Sequence, residues 1–387
     1  MAFGIYVHWP FCAAKCPYCD FNSHVRESID QQVWRDAYAR EISYYADLIK
    51  SQNKGQGDRL VTSIFFGGGT PSLMEPETVE AVIKAIRKEW RVSNDCEITL
   101  EANPTSVETA KFQAFRGVGV DRVSIGVQSL VPNALSFLGR EHNVDEAIIA
   151  IETAAECFDR YSFDLMYGRP EQSIEEWQTE LTCALPYTGG HLSLYQLTIE
   201  KGTPFYTRHQ RGEFIMPDQD KEGDFYELTQ AILEGAGLAA YEISNHAVPF
   251  QESRHNLTYW HYDDYLGIGP GAHGRLTLNG QKFATRMHNA PEIWLERVSE
   301  KGHGTHPHEL VAPQKRFTEC LMMGLRLREG VPFERLSQEA ANDWAAMIET
   351  QKLERLISEG YITLSDTHIT ATDEGRQRLN GLLNYLL

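Results

Sequence analysis

Short β-rich runs alternate with helical patterns through the first 200 residues, and that alternation limits the fold more than any other feature of the chain. The runs are 5–8, 61–66, 97–101, 122–128, 162–166 and 192–197. Amphipathic patterns fall between them at roughly 30–50, 76–90, 106–117, 143–156 and 173–185. Parallel neighbours need long crossover connections, so strict alternation predicts a parallel sheet with helices on its outer face. Six βα units are too few to close an eight-stranded barrel. The expected fold is therefore α/β, an open partial (β/α)6 barrel. Chemistry in such folds sits at the C-terminal ends of the strands. The candidate residues fall there: a cysteine cluster after the first strand, Gly67-Gly68-Gly69-Thr70-Pro71 after the second, and Glu101 closing the third. Gln128 closes the fourth, Asp164 lies in the fifth, and Tyr195 and Gln196 lie in the sixth. One cavity can hold them all.

The pattern changes after about residue 240, and the length allows two or three folded units. Asn245 to Gly274 is rich in His, Tyr, Trp and Gly with little periodicity. Helical patterns at 312–328 and 343–358, two short strands in 360–370 and a closing helix at 373–387 outline a small α+β, winged-helix-like unit. The expected division is a core at 1–240, an aromatic and histidine-rich connecting region at 241–310 and a C-terminal domain at 311–387. Ser51–Asp58 and Gly302–His308 read as polar loops, the latter carrying a solvated His303, His306 and His308. His261 and His273 lie near the aromatic stretch, and His273 is placed to line a cavity. Glu175 and Glu176 read as a solvated helix start favoured by the helix dipole.

Charge narrows the functional classes. The chain carries 36 basic and 54 acidic side chains, a net charge of −18. That balance opposes coating of nucleic acid, which needs cations to neutralise phosphates, so the winged-helix-like unit reads as a packing or partner-docking module. No apolar run approaches the ~20 residues that span a bilayer. The N-terminus has no basic segment followed by an apolar stretch, so no signal peptide is expected. Of the 7 cysteines, Cys12, Cys16 and Cys19 crowd together while Cys96, Cys157, Cys183 and Cys320 are scattered. An odd count with one tight cluster predicts a reducing, cytoplasmic setting and a metal site.

Cys12-Ala13-Ala14-Lys15-Cys16-Pro17-Tyr18-Cys19 lets one short loop wrap an iron–sulfur cluster. An ordinary [4Fe–4S] site takes four cysteines, so three leave one iron open to chelate a ligand. The alternative is a structural zinc with His8 or His24 as fourth ligand, although zinc sites more often pair two distant Cys-x2-Cys units. The triple glycine permits close backbone approach to a ligand, or makes a plain tight turn. It lacks the Gly-Lys-Ser/Thr ending of a phosphate loop. Glu101, Gln128, Arg140 and Asp164, each taken alone, read equally as satisfied structural polar groups.

The cysteine loop, with an aromatic before the third cysteine and a strand before the first, resembles the radical S-adenosylmethionine superfamily. In that family the three cysteines hold a [4Fe–4S] cluster, and the amino and carboxylate groups of S-adenosylmethionine chelate the fourth iron. An electron from the cluster then cleaves the sulfonium. The resemblance implies that Gly67, Gly68, Gly69 and Thr70 hold the amino end of S-adenosylmethionine. Glu101-Ala102-Asn103-Pro104, Gly126-Val127-Gln128-Ser129, Leu138-Gly139-Arg140 and Asp164-Leu165-Met166-Tyr167-Gly168 resemble the coproporphyrinogen-oxidase-like branch. There Glu101, Gln128, Arg140 and Asp164 would contact S-adenosylmethionine, with Tyr6, Tyr18 and Thr198 as weaker carry-overs.

Two members of that branch differ sharply. The oxygen-independent coproporphyrinogen III oxidase decarboxylates two propionates in porphyrin biosynthesis. It carries a fourth cysteine two positions after the third, and a long segment ahead of its cysteines. Here the position holds Phe21, and Cys12 lies near the start. Conversely, His255-Asn256-Leu257-Thr258-Tyr259-Trp260 is similar to the His-Asn-x-x-Tyr-Trp motif of the HemW-type haem chaperones. Those proteins bind haem b as cargo and pass it to respiratory haemoproteins. Imidazole ligates iron and aromatic rings stack on a porphyrin, so His255, Asn256, Tyr259 and Trp260 are the candidate haem residues. The bland alternative is a loop histidine beside core aromatics. The resemblance also implies an electron donor for the cluster, and leaves open a homodimer, peripheral membrane contact, productive cleavage of S-adenosylmethionine and a different radical-enzyme substrate.

Overall fold

The computed structural model describes residues 2–52 and 59–387. Residues 53–58 of the polar loop expected at Ser51–Asp58 lie outside the described residues. Six parallel strands run in sequence order through the centre of the main sheet: Phe3–Trp9 (β1), Leu60–Gly68 (β2), Arg91–Ala102 (β3), Arg122–Gln128 (β4), Arg160–Tyr167 (β5) and His191–Gln196 (β6). Crossover helices include Gln31–Gln52 (α1), Pro76–Glu89 (α2), Val144–Cys157 (α3) and Ile174–Ala184 (α4). Capping boxes set the starts of α3, with Asn143 and Glu146, and α4, with Ser173 and Glu176. The pattern at 106–117 forms two short helices, Ser106–Thr109 and Phe112–Gly117.

The stretch from Asn245 to Gly274 is not irregular. After Gln219–Gly235 (α5), Asn245–Ala247 (β7) pairs antiparallel with β6 at one side of the parallel block. Arg254–Trp260 (α6) leads to Asp264–Ile268 (β8), which pairs parallel with β1 at the other side. His273–Leu278 (β9) and Gln281–Arg286 (β10) add an antiparallel hairpin turned by Asn279 and Gly280, both at positive φ. Among the described residues the main sheet thus has 12 strands. Ser193 of β6 and Tyr265 of β8 line the same cavity although β1 to β5 lie between them, so the sheet curls into an open barrel. Helix α6 crosses the lower part of this space, packed on β1 and β2.

Residues 264–298 share the main hydrophobic core with β1 to β6. Trp34 of α1 stacks on Trp294 of Pro291–Lys301 (α7) at 5.4 Å. The fully buried Glu41 carboxyl accepts from the amides of Gly269 (2.9 Å) and Gly304 (2.8 Å) and from Trp294 Nε1 (3.0 Å). A second core gathers Pro313–Gly324 (α8), Phe333–Ala340 (α9), Thr350–Ser358 (α10) and the C-terminal helices. The expected two-stranded wing has three strands, because Val331–Pro332 adds to His368–Ala371 and Ile362–Leu364. The expected closing helix is two helices, Asp373–Gln377 and Leu379–Leu386. Lys282 of β10 donates to Tyr262 O (2.8 Å) and pairs with Glu339 of α9 (3.2 Å), fastening the second core to the sheet.

Candidate functional site

The cysteine loop is closed at its neck. Phe11–Cys12 pairs in parallel with His24–Val25, and the His24 amide donates to Pro10 O (2.7 Å). The glycine segment locks against it: Gly69 N donates to Trp9 O (2.7 Å) and Thr70 N to Phe11 O (2.8 Å). A Cβ on Gly69 would stand 2.6 Å from Phe11 O, and one on Gly68, at φ +114, 2.6 Å from the His8 ring. These close approaches make the segment a fitted cradle, where a plain turn would have space for side chains. Gly139, at φ +65, lets Pro17 of the cysteine loop come equally close.

Cys12 is buried and Cys16 and Cys19 half-buried. Burial pushes up the thiols of Cys12 and Cys19, and repulsion from neighbouring cysteine thiolates adds to it. Such a group gains from a bound cationic iron centre. Arg140 supplies a partial counter-charge, with one guanidinium nitrogen 3.2 Å from Cys16 Sγ and the other donating to Asn103 Oδ1 (2.6 Å) and Gly126 O (2.7 Å). Tyr18 Oη lies 3.4 Å from the same Arg140 nitrogen. His8 makes a poor fourth zinc ligand, because Nδ1 lies 3.0 Å from Tyr6 Oη and Nε2 donates to Asn22 O (2.9 Å). Among the described residues no three Cys, His or acidic side chains converge as a single zinc ion requires. The donor set of three thiols in one loop fits a larger cluster.

Below the cradle opens a cavity of about 590 Å³. Its deep end presents Gly68, Glu101, Asp164 and Ser193. Glu101 accepts from Gly68 N (3.2 Å), yet burial and the charge of Asp164 push its carboxyl up to about 8. Burial pushes Asp164 up to about 6, and its Oδ1 has no partner among the described residues. A protonated and an ionised carboxyl side by side can donate to and accept from ligand hydroxyls, which fits a ribose. The walls are aromatic, with Tyr6, Phe65, Tyr195, Tyr259 and Tyr265. Arg275, held by Glu319 through two contacts of 2.9 Å, and Met323 bring β9 and α8 into the lining.

Of the residues assigned to S-adenosylmethionine, Tyr6, Gly68, Glu101 and Asp164 line this cavity. Gly67, Gly69 and Thr70 form the cradle, and Tyr18 and Arg140 sit beside Cys16. Gln128, at φ +69, packs by Gly126, whose carbonyl Arg140 holds. Thr198 is exposed beyond β6 and does not line the cavity. Of the haem candidates, His255, Asn256 and Tyr259 line the cavity. Trp260 faces away, under the Arg326 guanidinium at 4.4 Å. His255 is buried, its Nδ1 lies 3.0 Å from Ser63 Oγ and its ring stacks on Phe65 at 5.1 Å. Burial pushes its pKa down to about 4, so the ring is neutral at pH 7. The loop histidines keep part of the expected solvent contact but also make ring contacts. His303 packs on Tyr44 (4.1 Å), His306 stacks on His288 (4.0 Å) and His308 Nε2 lies 3.3 Å from Tyr45 Oη, because the loop folds back towards α1 and β10. Arg122, Ser193, Tyr265 and Arg275 were missed, although each lies on a strand.

Residues 6–182 match the radical SAM superfamily and residues 311–378 the HemN C-terminal domain. With the three-cysteine loop at the mouth of a partial barrel, the chain is a radical SAM protein. It is 37% identical to heme chaperone HemW of Escherichia coli (strain K12), over 99% of this chain and 98% of that protein. It is 38% identical to radical S-adenosyl methionine domain-containing protein 1, mitochondrial, of Mus musculus, over 99% and 87%. The chain belongs to the HemW family. Coproporphyrinogen III oxidase (HemN) from Escherichia coli has the same fold, with a TM-score of 0.81, 20% identity and coverage of 99% of this chain and 89% of that one.

Proposed function

We propose that this protein binds haem and delivers it to respiratory haemoproteins, while carrying a [4Fe–4S] cluster on Cys12, Cys16 and Cys19 and S-adenosylmethionine beside it. The observation that carries this reading is Phe21. By the motif resemblance it stands where the oxidase would carry a fourth cysteine, and it is 60% exposed on the cavity wall. The full-length likeness to proteins named as heme chaperones supports it. When bound, the cluster supplies one-electron reduction of the sulfonium. The chain's own groups do the rest: the glycine cradle positions the ligand's amino end, Arg140 offsets the charge of Cys16, and Glu101 and Asp164 hold ribose hydroxyls. His255, Asn256 and Tyr259 wall the space open to the cargo. An odd cysteine count with one tight cluster suits a cytoplasmic setting with a protein electron donor. Among the described residues no helix is long and apolar enough to cross a membrane. Contact with a membrane-bound acceptor is proposed to be peripheral.

The test is anaerobic turnover by cluster-reconstituted protein supplied with coproporphyrinogen III, S-adenosylmethionine and a strong reductant. Saturable haem binding and no protoporphyrinogen are expected. Stoichiometric product would establish the oxidase instead.

A further inference from the structure

A second cavity, of about 580 Å³, adjoins the first on the outer side of the cysteine loop. The two share Phe21, Asn22, Gly271 and His273. Two unusual side chains, His273 and Phe21, meet at this seam, and two cations, Arg286 and Lys15, line the second cavity beside it. His273 is exposed, lines both cavities, and neither ring nitrogen has a hydrogen-bond partner among the described residues. Its backbone is nonetheless fixed, because a Cβ on Gly267 would stand 2.2 Å from His273 O. Phe21 presents a bare aromatic ring. Arg286, directly across the β9–β10 hairpin from His273, and Lys15 carry no ion pair among the described residues, although the chain as a whole is strongly acidic. Cross-strand partners share a face of the sheet, so the imidazole and the guanidinium project together. Among the described residues Asp20 is the one acidic side chain lining the second cavity.

Haem asks for this combination: an axial nitrogen for iron, an aromatic surface for the macrocycle, and cations for two carboxylates on one edge. The deep end of the first cavity suits propionates less, since the ionised Asp164 repels carboxylates and the buried Arg122 there already faces Glu101 and Asp164. His255 has one nitrogen engaged by Ser63 and is buried against Phe65. We propose that His273 is the axial ligand of the haem, which lies across the seam against Phe21 with its propionates towards Arg286 and Lys15. This inference rests on the haem-binding reading above. It assigns His255 to the cavity wall, and it leaves the deep end to S-adenosylmethionine.

The experiment is a haem titration of the full chain with its cluster, followed as difference absorption spectra against the same protein without haem. Wild type, His273→Ala, His255→Ala and Arg286→Gln are compared, with iron and sulfide content as the check on folding. His273→Ala should shift the Soret band and weaken binding at least about tenfold, as loss of a metal ligand does; free imidazole should restore the band. Arg286→Gln should weaken binding about threefold to tenfold with the band unmoved. His255→Ala should lose affinity through packing yet keep the imidazole-ligated spectrum. Wild-type band and affinity in a well-folded His273→Ala protein would overturn the assignment. Failure of the wild type to bind haem would instead remove the chaperone reading itself.

Discussion

Glu41 shows how one residue far from the chemistry holds the barrel's edge in place. Its buried carboxyl gathers three N–H donors from the loop after β8, from α7 and from Gly304. Burial still raises its pKa from the ordinary 4.5 to about 7. The folded state therefore binds a proton more tightly than the unfolded chain, so this group's contribution to stability falls as pH rises from about 4.5 to about 7. Glu41→Gln should remove that dependence. It should also cost about 1–3 kcal/mol, because an amide NH2 replaces an acceptor opposite backbone N–H groups. Urea unfolding at pH 5 and pH 7.5 reads both effects. Nothing in the sequence singled out Glu41, since a lone glutamate on an amphipathic helix looks solvated. Cys12, Cys16, Cys19 and the three glycines stood out because each set is consecutive or tightly spaced in sequence, and the structure joins the two segments through Gly69 N to Trp9 O and Thr70 N to Phe11 O. Trp260 and Thr198 were carried over by motif, and a motif does not say which way a side chain turns.

The strand–helix alternation of the first 200 residues was legible for a different reason: those strands bury one continuous apolar layer under their helices. The elements between Asn245 and Gly274 were not, because β7, α6 and β8 turn Asn245, His255, Tyr259 and Tyr265 to polar or aromatic surroundings and so break the hydrophobic period. The glycines that brace the cysteine loop make a testable case at this scale. Gly139→Ala places a methyl 2.6 Å from Pro17 at φ +65. It should cost about 1–2 kcal/mol from the left-handed backbone alone. The displaced loop should also hold less iron per chain, while the far-ultraviolet circular dichroism stays that of the wild type.

At the scale of the molecule, the two cores are joined by charge as much as by packing. The buried Glu339 receives the buried Lys282 (3.2 Å) and the partly buried Arg316 (3.8 Å), and Arg335 binds Asp263 beside them. Removing one member of a buried ionic group leaves the others uncompensated, typically at about 3–5 kcal/mol. Glu339→Gln should therefore loosen the C-terminal unit from the sheet. Two unfolding transitions are expected where the wild type shows one, with tryptophan fluorescence and circular dichroism no longer coincident. Because α8 supplies Glu319 and Met323 to the cavity, ligand affinity should fall together with the docking.

Strand β1 lies between β2 and β8, so its second neighbour is made some 260 residues later. During synthesis the cysteine loop leaves the ribosome long before the strand, helix and hairpin that enclose it. A nascent chain thus carries its three thiols in a half-built trough, open to whatever delivers iron and sulfide or oxidises cysteine. The position of β8 in the sheet permits a metal centre to be loaded before the last strand arrives and sealed afterwards.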